Sequence, residues 1–209
     1  MSSATITTSA RLMNSTPQTE EQAMVRKVAV SSFLGNFIEW FDYASYSYFA
    51  TTIALVFFPT DNHTVAMLQT FGVFALSFIL RPIGALFWGS YGDKKGRKAA
   101  LAHSIMFMSG ASFLIGCLPS YSVIGVGAPI LLLLLRMVQG FSASGEYAGA
   151  ATFLGEYAPT SKRGIYCSLI PASTAIGLLA GSTLATLMTA NMNSSAMVGW
   201  GWRVPFLLA

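Results

Sequence analysis

Five ionisable side chains stand inside long apolar stretches of this sequence: Glu39, Asp42, Arg81, Arg136 and Glu146. In hydrocarbon each costs at least about 2.5 kcal/mol to hold at the centre, so such groups pair, line a wet cavity or exchange a proton. Two of them share the run GNFIEWFDYASY over 35–46 with Asn36, Tyr43 and Tyr46. At about 100° per residue, Asn36, Glu39, Asp42, Tyr43 and Tyr46 fall within an arc of roughly 120° on one helix. Phe33, Phe37 and Phe41 lie mostly away from it. Glu39 is about eleven residues from the start of its stretch, hence about 16 Å deep, close to the midplane where transporters place their sites. A carboxylate there suits proton exchange or contact with a polar solute. The alternative is a permanent ion pair with an arginine from another helix.

A second run, RMVQGFSASGEY over 136–147, sets Arg136, Gln139 and Glu146 within about 80° of one another. Arg136 can hold a carboxylate deprotonated or take an anionic substrate group directly. A structural Arg–Glu pair between helices is again the alternative. Arg81, followed by Pro82, lies nearer the end of its stretch and suits a structural pairing. His63 and His103 lack a metal-like partner at helical spacing. Cys117 and Cys167 fall in apolar segments and read as small hydrophobes. With no CxxC, no His/Cys cluster and no nucleophile–base pair, the expectation is no metal, no cofactor beyond a proton as coupling ion, and no enzyme.

The elements that carry these residues follow from composition. Of 209 residues, 54% are hydrophobic and 10% are charged, with a mean hydropathy of +0.58. A soluble domain carries about 25% charged residues, so the chain reads as an all-α integral membrane protein. Its partners are then the lipid bilayer, a small-molecule solute and a proton, and no basic run with interleaved aromatics points to nucleic acid. A membrane-crossing helix needs about 20 apolar residues. The stretches 28–57, 66–91, 99–119, 127–157 and 165–189 meet that need, and another begins near Trp200 and runs to Ala209, expected as a sixth helix cut short. Residues 1–27 are polar, rich in Ser and Thr, and read as a disordered cytoplasmic tail with no signal peptide.

Orientation follows from the basic residues, which cytoplasmic loops retain. Arg11, Arg26 and Lys27 precede the first stretch; Lys94, Lys95, Arg97 and Lys98 lie in the second connection; Lys162 and Arg163 lie in the fourth. The first, third and fifth connections hold none. The alternation puts the N-terminus in the cytoplasm. Arg203, beside Trp200 and Trp202, suits a snorkelling anchor at the outer face.

The loop GSYGDKKGRK at 89–98 resembles the G-x-x-x-D-[RK]-x-G-R-[RK] signature of the major facilitator superfamily, matching at Gly89, Asp93, Lys94, Gly96, Arg97 and Lys98. Gly89 and Gly92 are expected to let the second helix approach a neighbour, and Gly96 to make the turn. Glu156 to Gly164, EYAPTSKRG, resembles the E-x-x-P-x-x-x-R-G ending of helix four, which makes Glu156 the expected partner of Arg97 and adds Arg163. The resemblance implies a latch on the cytoplasmic gate. It also implies the N-terminal six-helix bundle of a 12-helix fold, with the C-terminal half missing from this sequence. RMVQG at 136–140 resembles a pattern associated in the superfamily with proton transfer.

The runs at 35–46, 78–98 and 136–150 together resemble the bacterial metabolite:proton symporters, and GEYAGAATFLGEYAP resembles the proline/glycine betaine branch. The resemblance implies a proton-coupled symporter in the bacterial inner membrane, importing an osmolyte such as proline or glycine betaine, or an organic acid. A drug or metabolite antiporter of the same fold and a non-transporting fragment are the alternatives. PASTAIGLLAGSTLA at 171–185 lacks the G-x-x-x-G-P-x-x-G-G pattern of drug antiporters, and its Gly177/Gly181 pair reads as a packing face.

Overall fold

The computed structural model describes residues 16–209 and, among them, is helical throughout, without a strand. The first span is the helix Thr16–Tyr48 continued by Ala50–Phe57. The second is His63–Ile79 followed by Arg81–Lys95, the third Arg97–Cys117. The fourth is Gly127–Ala143 with Glu146–Tyr157, the fifth Arg163–Asn191. A π-helical turn, Met197–Gly201, leads into a last helix, Arg203–Leu208. By length and hydropathy, His63–Lys95, Arg97–Cys117 and Arg163–Asn191 are long and apolar enough to cross a membrane, and Gly127–Ala143 is apolar but shorter.

The break in the second span has a local cause. Pro82 lacks an N–H and its ring crowds the carbonyl four residues back, so the second span divides at Leu80, with Arg81 opening the new helix. The fourth span divides at Ser144–Gly145, where a Cβ on Gly145 would meet the Cβ of Trp88 at 2.5 Å. Pro171 is carried inside an unbroken fifth span. Asn62 caps the second span, its Oδ1 accepting from the N–H groups of Thr64 at 3.0 Å and Val65 at 3.3 Å.

Two apolar clusters fill the bundle. One gathers Phe49, Ile53, Phe57, Ile115, Leu132, Trp202 and Phe206. The other, at the end bearing the 90–98 loop, gathers Val25, Val28, Leu154 and Ile170. The second cluster corrects the reading of 1–27 as a disordered tail: residues 16–27 are helical, because Val25 and Val28 are drawn into the interior. Residues 1–15, including Arg11, lie outside the described residues. Outward faces carry Leu68, Leu86, Ile165 and Leu179, each at least 66% exposed, which suits lipid rather than water.

Helices approach closely where they lack a Cβ. A Cβ on Gly140 would run into the Ser77 carbonyl, and one on Gly84 into that of Phe141, so spans two and four touch backbone to backbone. Gly177 and Gly181 seat the fifth span on the first, with the Phe37 carbonyl 2.7 Å and the Ala44 Cβ 2.6 Å from where their Cβ atoms would stand. That bears out the expected packing face. Gly89 does not act as expected: a Cβ there would meet open space, and the second span's close approach falls at Gly84 instead.

Candidate functional site

The polar face of the first span meets spans five, two, three and four in turn. Asn36 is 1% exposed and its Nδ2 reaches the Ile170 carbonyl at 3.0 Å and the hydroxyls of Ser173 and Thr174, each at 2.8 Å. It pins span one to span five. Tyr46 is fully buried, donates to the Thr70 carbonyl at 2.9 Å and stacks on Phe74, tying span one to span two.

Between these pins stand two carboxylate–arginine layers. In the first, Glu39 Oε1 accepts from Arg81 Nη2 at 2.5 Å, and the same nitrogen contacts the Tyr43 hydroxyl. The Arg81 guanidinium lies over Phe78 at 4.5 Å and Tyr43 at 5.3 Å, positions that a ring face favours for a cation. Its side chain is 29% exposed and that of Glu39 4%. Arg81 is thus paired, and its partner is Glu39.

The second layer is sealed. Arg136 Nη1 donates to Asp42 Oδ2 and to Gln139 Oε1, the latter at 2.9 Å, and both charged side chains are 1% exposed. Gln139 Nε2 donates to Asp42 Oδ1 at 3.2 Å and to Ser112 Oγ at 2.6 Å, and Ser112 Oγ donates to the same Asp42 oxygen at 3.2 Å. The Tyr46 ring closes over the guanidinium at 3.9 Å. Spans one, three and four thus share one network.

Ser112, Thr70, Phe74 and Phe78 were not among the residues the sequence singled out. A lone serine in an apolar helix usually bonds its own preceding turn, so nothing in its neighbours' types marks Ser112 as a partner of Asp42. Between Arg136 and Glu146 the fourth span is interrupted at Ser144–Gly145, both of which keep right-handed helical backbone angles. The Glu146 side chain lies outside the described residues.

At the loop end, Arg97 donates to Glu156 at 3.1 Å, the pair that the two loop motifs imply. Gly96 takes φ +93°, which only glycine adopts freely, and so turns the second span into the third. Asp93, Lys94, Lys98 and Arg163 form no ion pair among the described residues. Beside the pair is a cavity of about 240 Å³ whose walls include Trp88, Asp93, Arg97, Lys98 and Gly145. Arg203 donates to the carbonyls of Gly199 at 2.8 Å and Leu118 at 3.0 Å, anchoring the last helix to the end of the third span. Among the described residues no group of three or more His, Cys, Asp or Glu is placed to hold a metal.

A helical bundle with glycine-seated spans, lipid-suited outer faces and buried carboxylate–arginine pairs is the build of a multi-pass membrane protein. Residues 27–209 match the family described as sugar (and other) transporter, and the chain belongs to that family of the major facilitator superfamily. Its sequence is 41% identical over 189 residues to the proline/betaine transporter of Salmonella typhimurium, covering 90% of this chain and 38% of that protein. It is 42% identical over the same length to the glycine betaine/proline/ectoine/pipecolic acid transporter OusA of Dickeya dadantii, again covering 90% and 38%. The chain therefore spans about two fifths of these relatives' length. Its fold is that of the proton:xylose symporter XylE, with a TM-score of 0.76 at 16% identity over 90% of this chain and 42% of XylE. The family is one of multi-pass membrane transporters, and both relatives are bacterial.

Proposed function

We propose that this chain forms one bundle of a proton-coupled symporter that imports a small polar osmolyte, proline or glycine betaine, across the bacterial inner membrane with its N-terminus in the cytoplasm. A second bundle, beyond these residues, faces it across the solute site. The observation that carries the proposal is the pair of carboxylate–arginine layers on one face of the first span. Asp42 is locked by Arg136, Gln139 and Ser112, whereas Glu39 has one guanidinium nitrogen from an arginine that is 29% exposed. A buried carboxylate with a single replaceable cation is the one that gains most from taking a proton when that cation turns elsewhere. Glu39 is accordingly the coupling group and Asp42 the fixed one. The names of the relatives supply the solute class.

The test is uptake by inverted-free, right-side-out vesicles carrying the product of the entire open reading frame. Labelled proline, glycine betaine and organic acids are offered under an imposed inward proton gradient. Accumulation of proline or betaine that a protonophore abolishes supports the reading; uptake unaffected by the gradient refutes proton coupling. Glu39→Gln, which fixes the neutral form, should lose uphill accumulation and keep solute exchange.

A further inference from the structure

The Glu39–Arg81 layer leaves much of a guanidinium unused. Arg81 donates through Nη2 alone, to Glu39 and to Tyr43, and its Nε is buried without an acceptor. A carboxylate that fits an arginine takes two nitrogens side by side, and Glu39 occupies one. With 29% of its side chain exposed against 1% for Arg136, Arg81 is also the arginine that an incoming solute can reach. Its surroundings are aromatic. The rings of Tyr43, Phe74 and Phe78 stand with centroids between 5.3 and 5.8 Å apart, and Phe78 is 39% exposed. Ring faces that hold a guanidinium also attract a substituted ammonium.

We propose that Arg81 is the carboxylate anchor of the solute site, that the rings of Tyr43, Phe74 and Phe78 receive the solute's cationic end, and that the arriving carboxylate displaces Glu39, which then takes up the coupled proton. The inference rests on the proposed symport of an osmolyte and narrows it to a small zwitterion whose carboxylate and ammonium are a few bonds apart. Glu39 faces Arg81 and Tyr43; Asp42, one turn further along, is committed to Arg136. Once the solute's carboxylate becomes the counter-ion of Arg81, Glu39 keeps no cation. The bare carboxylate is then far costlier to hold than its neutral acid, and one proton enters with one solute.

The test uses the product of the entire open reading frame, reconstituted in liposomes, with glycine betaine as probe and choline, the same cation without a carboxylate, as its comparison. Betaine should draw about one proton per molecule bound from a weakly buffered medium, read with a pH-sensitive dye, and choline none. Arg81→Lys keeps the charge but not the fork, and should weaken betaine binding about tenfold or more while leaving choline binding within about twofold. Phe78→Leu should weaken both, and Glu39→Gln should bind betaine without proton uptake. Wild-type betaine affinity in a folded Arg81→Lys protein overturns the anchor. Should that variant fail to fold, the unmodified protein decides alone: betaine binding with no proton uptake overturns the displacement. Either result leaves proton-coupled uptake itself standing. A wild-type protein that neither binds nor accumulates betaine or proline refutes the proposed solute class and this site with it.

Discussion

Glu39 and Asp42 lie one turn apart on the same helix, yet their surroundings assign them different work. Asp42 uses both oxygens and is held by groups from spans three and four. Its partner Arg136 is fully buried, with Nε and Nη2 already lacking acceptors. Neutralising the carboxylate leaves the buried cation with the Gln139 carbonyl and the Tyr46 ring but without a counter-charge. Breaking a buried pair from one side costs about 3–5 kcal/mol, so Asp42→Asn should lower the thermal unfolding midpoint of the purified protein markedly. Glu39→Gln should lower it much less, because Arg81 is partly exposed, still contacts the Tyr43 hydroxyl and still lies over two rings. Equal midpoints for the two variants would show that the sealed layer is no more structural than the open one.

At the scale of the elements, helix position came through from hydropathy and helix interruptions did not. Except for the first, whose helix begins at Thr16 rather than at 28, the apolar stretches lie within a few residues of the observed helices, since burial in lipid depends on side-chain character summed over about 20 residues. The break at Leu80 was implicit in Pro82, but no proline marks the break at Ser144–Gly145, and the Trp88 side chain that packs on Gly145 belongs to another span. For the same reason the Arg97–Glu156 pair could be paired by motif, whereas Ser112 could not. Gly84 and Gly140 look like ordinary membrane glycines in the sequence, and the structure shows that they set the distance between spans two and four. Gly140→Leu would drive a side chain into the Ser77 backbone, and overpacking of that kind costs about 1–3 kcal/mol or more. It should abolish the monodisperse peak in size-exclusion chromatography. Gly89→Leu, whose Cβ meets open space, should leave that peak intact. The loop that follows Gly89 also tests orientation. With Cys117 and Cys167 replaced by serine, Ser90→Cys should resist a membrane-impermeant thiol reagent in intact cells and react in inverted vesicles. Labelling from outside would reverse the proposed topology.

Considered whole, the chain is a bundle whose charged layers are built entirely from its own spans, with Arg81 and Phe78 left partly exposed beside the first layer. It covers 38% of the proline/betaine transporter it resembles and 42% of XylE. Alternating access works by rocking one bundle against another around a site at their interface, so the coupling proposed for Glu39 has something to drive only when a second bundle is present. Residues 1–209 alone, purified and reconstituted, are therefore expected to accumulate no labelled proline or betaine under a proton gradient that energises the product of the entire open reading frame. The two layers should nevertheless persist in the isolated bundle, because each closes between spans one to four. The unfolding midpoint of 1–209 should thus still fall on Asp42→Asn. Gradient-driven accumulation by 1–209 in monomeric form would refute the need for a second bundle. Accumulation confined to a cross-linkable dimer would show that another copy of this bundle can take the place across the site.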